Sequence, residues 1–482
     1  MEELALLVPE IILAGILALL VVSEITYHGE KVRLVTATAL LGLLAAMVYT
    51  ILSYPIAPAR AFGGVLSIDG LSLFFKLFFI VLAILTLTIS IQAKEVAQEK
   101  RAEYGALIVA GALTMSLAAA ASDLLVCFLC LQSFNLVAYL LAAYGKRSVQ
   151  STEAAVKQVA FGVVAGAFLL FSGAILFAAT KTINIYEMHQ ALKSATLLYP
   201  TLLVILVLLV LSFSFQLSAF PMCLWAPDAL QGAPTPASAF ISVGGRAVGF
   251  AVALRFLLVI FSEPIQGTGQ WANTGSVDWP RLLSIIAGVT LLYGSFLAVR
   301  QETVKRLLAC LIVAQSGYLL LGLLVLDEVG VAASLYNLLV ELFAIVGSFY
   351  VLSVLQEKGP KGALARAMPE TISLILFLSC LVGIPPLPGF IGKFAVIGAA
   401  VSHEWYSLAV VAIISMILGT VSVFRLVFSL VGDFRTHRTE GERVGPMQVA
   451  VLAVLLGPLF ILGIFAEQAL GWAGRSLRFI LW

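Results

Sequence analysis

The sequence predicts an all-α polytopic membrane protein of about fourteen transmembrane helices, and three observations predict it. Of 482 residues, 61% are hydrophobic and only 11% charged. Apolar runs of the roughly 20 residues needed to cross a bilayer recur from end to end. Two of these runs are interrupted by prolines at matching places, which predicts how the helices are arranged. The formal net charge of +2 identifies no acidic partner, because charges this sparse act by position and not by sum. Nothing suggests nucleic-acid binding.

Segments of spanning length fall near residues 4–24, 33–53, 71–91, 105–121, 123–144, 155–179, 201–224, 237–261, 282–299, 306–326, 331–355, 371–401, 407–431 and 448–470. The first lacks a signal peptide's basic start, having Glu2, Glu3 and Glu10 instead, and no small-residue cleavage site follows, so it is kept as a spanning helix. Sixteen lysines and arginines fall in the odd-numbered connections, among them Lys94, Lys100, Arg101, Lys146, Arg147, Lys305, Arg306 and Arg366. The even connections and the two ends hold six: Arg60, Lys181, Lys193, Arg281, Arg475 and Arg478. By the positive-inside tendency the odd connections face the cytoplasm and both termini lie on the far side, as an even helix count requires. The connections are too short for a nucleotide-binding module. Five cysteines lie within or at the ends of apolar stretches. Cys127 and Cys130 have a CxxC spacing inside a helix, but metal sites add further ligands and the histidines lie near segment ends. All five cysteines therefore read as small apolar residues.

The seventh segment runs through Ser218-Ala219-Phe220-Pro221 into Pro227-Asp228 and Gly232-Ala233-Pro234-Thr235-Pro236. The twelfth, about 31 residues long, contains Gly383-Ile384-Pro385-Pro386-Leu387-Pro388-Gly389 and is too long for one straight crossing. Each is the fourth member of a set of five, helices 4–8 and 9–13. Five is odd, so successive sets run in opposite senses through the bilayer, the inverted-repeat arrangement in which ion sites gather at broken helices. The predicted divisions are 1–104 for helices 1–3, 105–261 and 282–431 for the two repeats, and 432–482 for the C-terminal loop and helix 14.

Short motifs along the chain carry a resemblance. They are Pro9-Glu10-Ile11-Ile12-Leu13, Ile68-Asp69-Gly70-Leu71, Glu153-Ala154-Ala155-Val156-Lys157, Pro227-Asp228 with Gly232-Ala233-Pro234-Thr235-Pro236, Lys305-Arg306-Leu307-Leu308-Ala309, and Pro385-Pro386-Leu387-Pro388-Gly389-Phe390-Ile391-Gly392-Lys393. In this order the chain resembles the antiporter-like membrane subunits of proton-pumping NADH:quinone oxidoreductase, complex I, a family shared with Mrp cation/proton antiporters. The length argues against the L type, which extends into a long lateral helix. Gly232-Ala233-Pro234 after Pro227-Asp228 is closer to the N type than to the M type.

The resemblance implies an interior chain of titratable groups and water, and it assigns positions. Lys393 matches the terminal lysine of the family's proton path and is the first candidate for a proton-carrying group. Lys157 matches the lysine after the Glu-Ala-Ala run; lying near a segment end, it reads equally as a snorkelling side chain. Four positions depart from the pattern: Gln132 replaces the fifth-helix glutamate, Gln216 the seventh-helix lysine, Cys223 a nearby histidine and Arg246 the eighth-helix lysine. Losing one member of a buried ion pair strands the other, whereas changing both to amides removes that penalty and keeps hydrogen-bonding capacity. A guanidinium does not release its proton, so Arg246 acts as a fixed charge. Glu341, at the middle of the eleventh segment, is an intramembrane carboxylate and functional by default; it reads as a partner of Lys393 or Arg246, or as a structural pair. Lys76, Arg255 and Arg425, nearer segment ends, are expected to snorkel or touch lipid headgroups. Asp69 and Asp123 are expected as helix caps.

The leading functional expectation is a membrane-arm subunit of complex I in a hetero-oligomer with other membrane-arm subunits. The chain itself is expected to carry no cofactor, with NAD, FMN, iron–sulfur clusters and quinone in partner subunits. Within that reading it either pumps through Lys157, Lys393 and Glu341 or only relays a conformational change. The alternatives are an antiporter-like subunit of an Mrp-type cation/proton antiporter or a membrane-bound hydrogenase, and a non-pumping structural subunit. The expected site is a bacterial plasma (inner) membrane.

Overall fold

A computed structural model describes residues 2–26, 32–54, 58–93, 95–96, 101–145, 149–194, 198–265, 267–274, 277–357, 368–436 and 445–477. Its main elements are α1 (Val8–Thr26), α2 (Val32–Ser53), α3 (Gly70–Gln92), α4 (Arg101–Ala120), α5 (Leu124–Ala142), α6 (Val149–Thr180) and α7 (Tyr199–Gln216). They continue as α8 (Thr235–Leu254), α9 (Trp279–Val299), α10 (Val304–Leu324), α11 (Glu328–Glu357), α12a (Met368–Val382), α12b (Pro388–Ser402), α13 (Tyr406–Thr436) and α14 (Pro446–Ile464). Among the described residues thirteen helices are long and apolar enough to cross a membrane, and α12a with α12b supplies two shorter apolar pieces of a fourteenth. The chain is an integral, multi-pass membrane protein. Helices are the solution here because hydrocarbon offers backbone N–H and C=O groups no partner outside the segment itself.

Burial separates the centre from the rim. The apolar windows of α8 and α10 are wholly buried and that of α11 is 89% buried, whereas α14 is 22% buried. The charged side chains in the middle of α8 and α11, Arg246 and Glu341, therefore face protein and not lipid. The even-numbered connections are tied together by short pairings. β1 (Ala59–Ala61) pairs with β2 (Leu66–Ile68), β3 (Ser262–Ile265) pairs with β4 (Gln270–Asn273), and isolated bridges link Leu66 to Ala121, Asp123 to Asn184 and Gln270 to Asp327.

Both predicted interruptions are present, and they end their helices in the same way. After α7, Ser218 has φ +55°, the Ser218 N–H donates to Phe215 O at 3.1 Å and the Ala219 N–H to Ser214 O at 2.7 Å. After α12a, Gly383 has φ +92°, its N–H donates to Cys380 O at 3.2 Å, and the Ile384 N–H donates to Ser379 O at 3.0 Å. Both are Schellman caps with a left-handed residue just beyond the helix, two places past Gln216 in the first and one past Val382 in the second. The chain then restarts as a short helix over Ala226–Gly232 in the first half and as α12b in the second. α12b begins close against α12a: a Cβ at Gly389 would lie 1.7 Å from Cys380 O.

Two expectations fail. Lys76 is fully buried and ion-paired with Glu10 at 2.6 Å, and Arg255 is 1% exposed and bidentate with Asp69, at 2.9 and 2.8 Å. Neither side chain snorkels, because each points into the bundle and meets a carboxylate there. Arg425 is exposed and donates to Val299 O. Asp69 and Asp123 do cap α3 and α5. Lys94, Lys100, Lys146, Arg147, Arg366 and Arg478, used in the orientation argument, lie outside the described residues.

Candidate functional site

In the first half the two glutamines are joined through a third amide. Gln132 and Asn135, three residues apart, share one face of α5, while Gln216 is the last residue of α7. Gln216 Nε2 donates to Asn135 Oδ1 at 2.9 Å, and Asn135 Nδ2 makes a longer contact of 3.5 Å with Gln132 Oε1. Glycines let neighbouring helices close on this chain of amides: a Cβ at Gly249 would lie 2.6 Å from Gln216 Cβ, and one at Gly166 2.7 Å from Gln132 Nε2. Cys223 is buried in the turn beyond the break. Nothing in this group carries a charge.

The centre is different. Arg246 on α8 meets Glu341 on α11 at 2.8 Å, with side chains 1% and 5% exposed. Arg246 Nε also donates to Ser242 O at 2.9 Å, and Nη1 reaches Ile312 O at 3.5 Å. Of the partners open to Glu341 in the sequence, Arg246 takes it. Two fully desolvated ions are tolerated because they neutralise each other; alone, either is prohibitive.

Lys393 on α12b completes the buried set. Its Nζ donates to Leu381 O at 2.6 Å and Val382 O at 2.7 Å, and it stands 4.7 Å from the centre of the Tyr318 ring. A Schellman cap leaves these last carbonyls of α12a without an N–H, and the negative end of a helix dipole favours a cation. The break therefore creates the ammonium's binding site. Lys393 is close enough to act electrostatically on Glu341, so the structure brings Arg246, Glu341 and Lys393 into one interior group.

Lys157 stands apart. It is partly exposed and pairs with Glu153 at 2.7 Å and Asp228 at 2.6 Å, in an open pocket of about 370 Å³ that Arg306 also lines. Arg306 reaches Asp228 at 3.0 Å. A cavity of about 550 Å³ lies at the opposite, even-connection end around His189, Lys193 and Glu263, away from the buried group. There Lys193 holds the Glu263 carboxyl below its ordinary range.

Sequence reasoning missed Asn135, the Glu10–Lys76 pair and the Asp69–Arg255 pair. Asn135 carried a usable signal, standing three residues from Gln132 inside an apolar run. Glu10 and Lys76 carried only their charges, since pairing across helices is not readable from spacing.

A fourteen-pass bundle with two broken helices and an interior row of polar and charged side chains defines an antiporter-like membrane subunit. A family model described as NADH:quinone oxidoreductase/Mrp antiporter, TM, matches residues 121–419. Among similar sequences are NADH-quinone oxidoreductase subunit N 2 of Chloroherpeton thalassium, 32% identical over 98% of this chain and 94% of that protein, and subunit N of Anaeromyxobacter sp., 32% identical over 98% and 96%. Among solved structures, a chain of respiratory complex I from Thermus thermophilus with bound aureothin is 26% identical, with a TM-score of 0.78 over 97% of this chain and 99% of that one. A chain of the Mrp complex from Dietzia sp., 19% identical, shares the fold at a TM-score of 0.84 over 100% and 97%. The chain belongs to the NADH:quinone oxidoreductase/Mrp antiporter transmembrane family, on its subunit N branch.

Proposed function

We propose that the chain is a membrane-arm subunit of a respiratory NADH:quinone oxidoreductase and contributes to proton translocation coupled to quinone reduction. The observation that carries the pumping role is Lys393, a buried ammonium held by two backbone carbonyls beside the Arg246–Glu341 pair. An ammonium can release and regain a proton, and its carbonyl cradle stabilises the charged form. Arg246 keeps its proton and serves as the fixed countercharge of Glu341. The proton path is thus altered: its buried titratable groups, Glu341 and Lys393, lie in the second half, and Gln132, Gln216 and Cys223 leave the first break without any. Lys157 with Asp228 and Glu153 forms the cytoplasmic mouth.

In this reading NAD, FMN, iron–sulfur clusters and quinone sit in partner subunits, and redox chemistry reaches this chain only as a mechanical or electrostatic signal. The membrane is a bacterial plasma membrane, with the odd connections in the cytoplasm and both termini on the far side. Residues 105–261 and 282–431 act as the two inverted repeats, flanked by 1–104 and 432–482. A second reading, a subunit that transmits the conformational signal and moves no proton, draws its support from the uncharged amide chain at the first break.

The test is the proton-to-electron ratio of the purified complex in sealed liposomes, native against Lys393→Met, with assembly confirmed. A lower ratio with quinone reduction maintained is the expected result. An unchanged ratio would leave only the non-pumping reading.

A further inference from the structure

Four buried polar atoms of the central group have no hydrogen-bond partner among the described residues: Gln315 Oε1, Asn337 Nδ2, Arg246 Nη2 and Glu341 Oε2, the last meeting Arg246 only as an ion pair. Gln315, on α10, is 2% exposed, and Asn337, on α11, is 3% exposed. Each amide is anchored on one side only. Gln315 Nε2 donates at 2.8 Å to Leu381 O, the same carbonyl that Lys393 engages. One turn earlier on α10, Ile312 presents its carbonyl to Arg246. Gln315 therefore connects, along α10, the carbonyl that Arg246 reaches to the carbonyl that Lys393 engages.

Asn337 approaches from the other helix. It lies one turn before Glu341 on α11, on the same face. Its Oδ1 is pressed against the residue preceding Lys393, where a Cβ at Gly392 would lie 2.1 Å away. Only glycine at 392 allows that approach. The Asn337 amide is thus held against α12b at Gly392, the neighbour of Lys393 in the chain, and one turn from Glu341, with its Nδ2 donors without a partner among the described residues.

We infer that Gln315 and Asn337 are positioning residues that hold water between Lys393 and Glu341, so that the proton step between them runs through their amides' hydrogen bonds. This rests on the pumping role proposed above. Buried polar atoms of native proteins are nearly always satisfied, and those that protein leaves open are satisfied by internal water, which needs two to four polar partners. Here Gln315 Oε1 offers an acceptor and Asn337 Nδ2 and Arg246 Nη2 offer donors, and water can serve both kinds. Neither amide titrates, so neither stores the proton. In the step, an N–H bond of Lys393 breaks as an O–H bond forms on the adjoining water. A second O–H bond of that water breaks as one forms on the Glu341 carboxylate. The step leaves a neutral lysine and a neutral glutamic acid, with the group's net positive charge on Arg246, and the reverse step restores the three ions.

The experiment compares four variants with the native complex in sealed liposomes, reading the proton-to-electron ratio and the quinone-reduction rate together. Gln315→Met and Asn337→Leu keep nearly the native volume and remove the polar atoms; Asn337→Ser keeps a hydroxyl and room for water; Lys393→Met is the reference. The inference expects the first two to lower the ratio to the level of Lys393→Met with quinone reduction retained, and Asn337→Ser to stay at the native ratio. If Lys393→Met lowers the ratio while Gln315→Met and Asn337→Leu do not, the inference falls and the pumping role stands. If Asn337→Ser loses as much as Asn337→Leu, the position acts by packing and the inference is overturned. If Lys393→Met itself changes nothing, the pumping role fails and takes the inference with it.

Discussion

The breaks after α7 and after α12a end in the same backbone cap and differ in what answers the open carbonyls. At the first, the Ser316 hydroxyl of α10 donates to Leu217 O, and the surrounding polar groups are the neutral amides of Gln216, Asn135 and Gln132. At the second, the Lys393 ammonium takes Leu381 O and Val382 O, and the Arg246–Glu341 pair lies nearby. A capped helix end supplies oriented carbonyls whether or not a charge uses them. On the proposed function, the first break keeps the scaffold of a proton site without titratable groups of its own. Locating a broken helix is not the same as locating a working one.

The largest effect that tests this contrast comes from splitting the central pair. Glu341→Leu leaves Arg246 buried without its carboxylate and should cost about 3–5 kcal/mol, seen as a large drop in thermal stability or in the yield of assembled complex. Arg246→Met with Glu341→Leu removes both charges, and most of the loss should return. If the single variant is no less stable than the double one, the two ions are not each other's partners and the central pair is misassigned.

The reverse manipulation puts charge into the neutral half. Gln216→Lys alone places an ammonium where only amides stand, a change on the order of 2.5–3.5 kcal/mol on insertion scales. Gln132→Glu restores an opposite charge on the far side of Asn135, and stability should recover in part in the double variant. The proton-to-electron ratio then sharpens the comparison. A ratio above native in the Glu/Lys variant would mean that the first half is silent only for want of charge, and an unchanged ratio that it has lost its water as well.

Much of this contrast was legible in the sequence. Apolar length gave the helices, and Pro221, Pro385 and Pro386 marked the breaks, because proline cannot serve the interior of a helix. Gln132, Gln216, Arg246, Glu341 and Lys393 were legible as positions. Their partners were not, since Gln216 meets Asn135 across 81 positions of chain, and that register is set by how helices rotate and pack. Lys76 and Arg255 show the same limit in the other direction. Nearness to a segment end suggested a route to the headgroups, but α3 and α8 are among the well-buried helices, and the direction of the side chain decides. Asp69 was legible as a cap and does cap α3 through Ser72 N at 2.8 Å, yet its carboxylate also takes both terminal nitrogens of Arg255. A capping motif names one use of a carboxylate and leaves its remaining lone pairs unassigned.

Smaller substitutions in the amide chain separate its members. Asn135→Leu deprives Gln216 Nε2 of its acceptor inside the bundle and should cost about 1–3 kcal/mol, the range for a buried donor left unmade. Asn135→Asp keeps an acceptor in place and adds a group that titrates, so its readout is proton conductance of the liposome membrane and not stability. A rise in passive conductance would show that neutrality at this position is what closes the first half.

The smallest effect is at the cap itself. Ser316→Ala removes the hydroxyl from Leu217 O, a single neutral hydrogen bond, and should cost about 0.5–1.5 kcal/mol, read as a modest fall in thermal midpoint with the proton-to-electron ratio unchanged. The corresponding change at the other break, Lys393→Met, uncovers two carbonyls and is expected to change the ratio. If Ser316→Ala lowers the ratio as Lys393→Met does, the first break takes part in proton movement without any charge of its own, and the division of the molecule into a silent and a working half is wrong.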